Sequence, residues 1–175
     1  MNNREANSLA AWLVKQPTQE GRGRSIAVAL KDAHRLVNEP TLDIWRQQVV
    51  LPMLPLIPGL AESIEYLDID VKLANNRSTL SGEIVVITDT RIVHGQFQTF
   101  DNINSLPTAT AKSWPRSAVR TIRLDELEVP DLDDEDEPWD ASGTLTLKGD
   151  DFNLTLPARP GREHAIAELA ASFSR

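Results

Sequence analysis

GEIVVITDTRIVHGQF, residues 82–97, decides the fold. Glu83-Ile-Val-Val-Ile-Thr88 is a run rich in β-branched side chains, and Arg91 to Phe97 is a second strand-like run. Thr88-Asp89-Thr90 between them leaves room only for a short turn. Two β-favouring runs so joined predict an antiparallel hairpin.

The neighbouring segments extend this reading. Upstream, Ile64 to Leu73 alternates, with Ile64, Tyr66 and Ile69 set against Asp68 and Asp70 and one irregular step at Leu67. Downstream, Ala109 to Trp114 and Ala118 to Leu127 are strand candidates on either side of Pro115. Gly143 to Lys148 alternates strictly, and Gly149-Asp150-Asp151 turns it into Phe152 to Leu156, a second hairpin. Pro160-Gly161 then precedes a helix with Ile166, Leu169, Ala170 and Phe173 on one face. About seven antiparallel strands and a helix predict an α+β chain. A sheet of that size hides its edges by curling into a barrel or sandwich, with the helix capping one end.

Residues 1–50 have helical texture. Ala6, Leu9, Trp12 and Leu13 form a stripe that Pro17 ends; Ile26, Leu30, Ala33 and Val37 form a second, closed at Pro40. Thr41 is an N-cap candidate for a third helix, with Leu42, Trp45 and Val49 on one face, stopped by Pro52. Next comes LPMLPLIPGL, residues 51–60, with Pro52, Pro55 and Pro58 three apart. That period matches polyproline II. All three edges of such a helix are apolar here, so a solvent-exposed docking peptide is disfavoured. Residues 51–61 are expected instead to form a buried strap, with Leu54 and Ile57 covered, sealing the helices to the sheet or docking on a second copy.

The order of elements resembles the pleckstrin-homology superfold over residues 62–175. GEIVVITDTRIVHGQF resembles the second-to-third-strand hairpin of bacterial pleckstrin-homology-like and GRAM-type domains. In that hairpin an apolar strand ends in Thr, and after a short turn an Arg precedes an apolar pair; here these are Thr88, Arg91, Ile92 and Val93. SAVRTIRL, residues 117–124, resembles a later strand through Val119 and Ile122, and GTLTLKGDDFNLTLPA resembles the final hairpin. The resemblance implies a binding or scaffolding module preceded by a helical extension. In some members a basic cluster around the first interstrand loop binds inositol phosphates. Here that loop, KLANNRSTLSGE, holds Lys72 and Arg77, without a tight basic pattern.

Charge narrows the partners. Residues 125–140 hold ten of the chain's 26 acids and no base; the other 16 acids face 18 bases. The acidity is therefore local, and the nearly neutral remainder is not expected to present a broad basic face to nucleic acid. Asp133, Asp134, Glu135, Asp136, Glu137 and Trp139 are candidates for meeting a basic partner, or for folding back on Arg116, Arg120 and Arg123. The run lacks the internal glycine of a calcium loop. EGRGRS, residues 20–25, reads as a basic connector rather than an anion site.

There is no cysteine, and His34, His94 and His164 have no metal-ligand spacing. No hydrolase, nucleotide or dinucleotide motif appears, so no catalytic, cofactor or metal residue is assigned. No apolar run approaches the ~20 residues of a membrane span, and the N-terminus does not read as a signal peptide, so a cytoplasmic location is expected. The expected role is a non-catalytic protein-interaction or scaffolding module, self-associating or meeting a basic protein. A lipid or inositol-phosphate adaptor using Lys72, Arg77 and Arg91 at a membrane surface is the second reading. An enzyme is the third, and it requires a deep polar pocket around His94 or His34.

Overall fold

The computed structural model describes residues 3–13, 15, 46–57, 64–73, 80–98, 107–128, 142–156 and 166–173. The chain divides into two compact units, Met1–Trp114 and Pro115–Arg175. The expected segment boundaries at residues 50 and 61 both fall within the first.

In the first unit, helix α1 (Asn3–Leu13) is followed by a π-helical turn (Arg46–Val50), a 3-10 helix (Leu51–Leu56) and four strands: β1 (Ile64–Leu73), β2 (Leu80–Thr88), β3 (Arg91–Gln98) and β4 (Thr108–Pro115). The strands form one sheet in sequence order, with β1–β2 and β2–β3 antiparallel. The 82–97 hairpin forms as expected, with Thr88 opposite Arg91 and a two-residue turn at Asp89-Thr90. Thr88 is fully buried, and its Oγ1 accepts the backbone N–H groups of Thr90 (3.3 Å) and Arg91 (3.0 Å). A hydroxyl at this position therefore satisfies two turn donors that the ladder leaves over.

One face of the sheet is apolar and lies beneath the N-terminal segments. Leu67 and Ile69 of β1, Ile84 and Val86 of β2, and Val93 and Phe97 of β3 join Ala10, Leu13, Val49, Val50, Met53, Leu54 and Ile57 in one core. Gly95 makes this contact close: a Cβ there would lie 2.5 Å from Met53 Sδ.

The strap is helical, which corrects the polyproline II expectation. Polyproline II leaves every backbone N–H and C=O to solvent, which a buried segment cannot do. A 3-10 helix bonds them internally and keeps three residues per turn. Ile57 N–H closes the last turn onto Leu54 O at 3.1 Å. The period of three therefore still sorts the side chains into edges. Pro52 and Pro55 lie on the exposed edge, while Met53, Leu54 and Ile57 are buried. The π-helical turn ends at Val50, ahead of Pro52, which sits in the first turn of the 3-10 helix. The second helix and the start of the third, at residues 26–45, lie outside the described residues.

In the second unit, a 3-10 turn (Arg116–Ala118) leads into β5 (Thr121–Glu128), β6 (Ser142–Lys148) and β7 (Asn153–Leu156), an antiparallel sheet in sequence order, and then helix α2 (Ile166–Ser172). Leu145, Leu147, Leu154 and Leu156 of the sheet are buried, as are Ile166, Leu169 and Ala170 of α2, which packs on β6. Arg116 holds the end of that helix, with its guanidinium 4.0 Å from the centre of the Phe173 ring and donating to Ser172 Oγ. Ser172 Oγ in turn donates to Leu169 O at 2.7 Å. The fold is thus α+β with antiparallel sheets of four and three strands; a seven-stranded barrel or sandwich was expected, and the strands are not hydrogen-bonded into one closed barrel.

Candidate functional site

Side chains alternate along a strand, so the register assigns each to a face. Opposite the helix-covered face, β1 presents Tyr66, Asp68, Asp70 and Lys72. Next to them on the same face stand Val85 and Glu83 of β2, then Ile92, His94 and Gln96 of β3. This face is polar yet largely covered. Tyr66 and Asp68 are fully buried, and Asp70 is 5% exposed.

Burial of carboxylates demands donors. Asp68 Oδ1 accepts the Ile69 N–H at 2.6 Å, and Oδ2 accepts the Tyr66 hydroxyl at 3.2 Å. Asp70 is met by Lys72, whose Nζ stands 2.9 Å from Oδ2. The buried carboxylate is thus compensated by a lysine whose own side chain is 71% exposed. Contact with the Asp70 carboxylate and its charge raise the Lys72 pKa above its ordinary value. Across the sheet, His94 Nε2 lies 2.8 Å from Glu83 Oε2. That hydrogen bond lowers the Glu83 pKa, and partial burial opposes it more weakly.

Beside this row lies a cleft of about 420 Å³, at the end of the sheet where β1 and β3 finish and β2 and β4 begin. Asp70, Lys72, Glu83, Gln96, Thr108 and Thr110 are among its lining residues. Its described side chains are thus mainly hydrogen-bonding groups, with two carboxylates against one lysine.

Several expected site residues lie elsewhere. Leu54 and Ile57 are buried, at 2% and 3% exposure, in the core of their own unit. Lys72 lines the cleft, while Arg91 lies at the far end of β3 on the other face, its Nε donating to Ser113 Oγ at 2.7 Å. The structure therefore does not bring Lys72 and Arg91 together. Arg77, Asp133, Asp134, Glu135, Asp136, Glu137 and Trp139 lie outside the described residues, as do His34, His164 and residues 20–25. Of the three arginines considered for the acidic run, Arg120 approaches Asp150 at 3.6 Å. Arg123 pairs with Asp125, the first acid of that run, at 2.7 Å.

Asp68, Asp70 and Glu83 are the residues that sequence reasoning missed. Alternation with apolar neighbours marked Asp68 and Asp70 as solvent-facing. One signal pointed the other way: Ile84-Val85-Val86-Ile87 is apolar at every position, so β2 is covered on both faces. Asp68 lies directly opposite Val85 and shares its burial.

Among the described residues, no group of three His, Asp or Glu side chains could hold a metal ion, and no helix is long and apolar enough to cross a membrane. No protein-family model, curated protein or solved structure matches the chain.

Proposed function

We propose that this chain is a non-catalytic interaction module, pleckstrin-homology-like in its order of elements, that engages a protein partner at the cleft ending the first sheet. The carrying observation is the cleft itself, lined mainly by hydrogen-bonding side chains in which two carboxylates, Asp70 and Glu83, stand against one lysine. Seven strands divided four and three, followed by a helix, support the resemblance in fold. The cleft's carboxylates and the separation of Lys72 from Arg91 weigh against an anionic headgroup.

The test is capture on the immobilised full chain from extract of the source cell, together with light scattering of the purified protein. A specific protein retained, or a dimer formed, supports the module. A monomer that retains nothing contradicts it. Salt-sensitive retention on anionic vesicles that is lost on Lys72→Ala substitution would replace it with the lipid reading.

A further inference from the structure

β5 ends the second sheet: β6 flanks it on one side, and no described strand flanks it on the other. Along β5, Ile122 stands opposite Leu147 and Leu124 opposite Leu145. Leu147 and Leu145 in turn stand opposite Leu154 and Leu156 of β7. Two apolar rows therefore cross one face of this sheet. Their members on β6 and β7 are buried, whereas on β5 Leu124 is half-buried and Ile122 is 38% exposed, the one exposed large hydrophobic side chain among the described residues. The apolar face thus runs out to the sheet edge. On the opposite face of β5 stand Arg123 and Asp125, two residues apart, with side chains 70% and 34% exposed. They pair with each other at 2.7 Å. Charge on an edge strand ordinarily keeps other strands away. Here the base precedes the acid, so the edge is complementary to itself when a copy runs in the reverse direction.

We propose that β5 is a self-association surface, pairing antiparallel with β5 of a second copy about a two-fold axis at Leu124. In that register Arg123 lies opposite Asp125 of the second copy, and Asp125 lies opposite its Arg123. Opposite charges directly across an antiparallel pair attract, and like charges repel. Centring the pair on Arg123 would set that residue against itself, and centring it on Asp125 would do the same for the acid, so charge selects the register between them. On the other face Leu124 meets Leu124 of the second copy, and Ile122 reaches the same leucine diagonally. The row of Leu145 and Leu156 then continues unbroken into the second sheet. A two-fold contact of this kind closes with two copies and leaves no edge here for a third. Regular pairing of β5 with β6 runs from Thr121 to Asp125 and shifts before Glu128, so the contact is short and the dimer forms only as concentration rises. The surface shares no residue with the cleft lining and goes beyond the cleft reading.

The experiment follows sedimentation of the full chain from micromolar to millimolar concentration. The native chain is expected to pass from monomer to dimer. Arg123→Glu alone and Asp125→Arg alone each set like charges opposite one another at both symmetric positions, and each should weaken the dimer by at least about tenfold. Mixing the two variants restores opposite charges at both positions, so the mixture should form a dimer that neither variant forms alone. Ile122→Thr keeps a β-branched strand former but removes apolar area, and should weaken the dimer by about fivefold. A monomer at every concentration, a dimer indifferent to both charge reversals, or folded variants that fail to form the mixed dimer would overturn the proposal. If the chain stays monomeric and Arg123→Glu instead abolishes capture of a different protein, the edge is that protein's site and the self-pairing is overturned.

Discussion

Met53 Sδ occupies the space above Gly95 so closely that a Cβ on the glycine would come within 2.5 Å of it. The strap and the third strand are thus fitted to each other, and the fit can be measured. Gly95→Ala is expected to cost about 1–3 kcal/mol by overpacking, and Met53→Ala about 2–5 kcal/mol by leaving a cavity. The double variant should cost less than the sum, since the smaller side chain makes room for the new methyl. Urea unfolding of the four proteins checks this; additive losses would mean that the two residues are independent.

Gly82 provides a harsher comparison. A Cβ there would meet the Asp70 carbonyl oxygen at 2.4 Å and the Phe97 ring at 2.5 Å. A backbone carbonyl fixed in the ladder cannot yield as a methionine tail can. Gly82→Ala should therefore destabilise more than Gly95→Ala in the same unfolding series.

The strap's edges predict opposite outcomes for substitutions one residue apart. Pro55→Ala, on the exposed edge, should change stability by less than about 1 kcal/mol, because the lost φ restraint is set against a regained N–H. Leu54→Asp places a charge at a site 2% exposed, and should cost at least about 4 kcal/mol. Circular dichroism melts of both variants distinguish this sided strap from one that is exposed all round.

Acid should release the Glu83–His94 contact. The Glu83 pKa is lowered below its ordinary 4.5, so the unfolded chain takes up the proton first as pH falls. The contribution of Glu83 to stability is therefore complete above pH 4.5 and is lost as pH falls through its lowered value. The stability gap between the native chain and Glu83→Gln should narrow below that point, as urea midpoints at several pH values would show. Lys72 runs the other way. Its raised pKa makes its contribution complete below 10.5 and lost at higher pH, and exposure keeps that contribution small.

The strands were legible because their signals are local. β-Branched runs, strict alternation and turn residues placed β1 from Ile64 to Leu73, and put the other described strands within a few residues. The irregularity in β1 was harder to place: the register shifts between Ile64 and Tyr66, whereas broken alternation pointed to Leu67. Polyproline II and the 3-10 helix share a period of three, so proline spacing could not choose between them; burial did. The site was less legible for a similar reason. A polar residue on a strand predicts solvent unless its neighbours across the sheet show that both faces are covered. Asp68 and Asp70 needed the register with Val85 and Glu83 before they became a buried row.

The most direct measurement compares how much partner is captured from extract of the source cell by the native chain and by Asp70→Asn/Glu83→Gln. Both chains must first show the same dispersed amide spectrum. The account predicts that a protein recovered by the native chain falls by at least about tenfold with the double variant, since two charge-assisted contacts are removed. Undiminished recovery on the folded double variant would contradict it and place the partner surface away from this cleft.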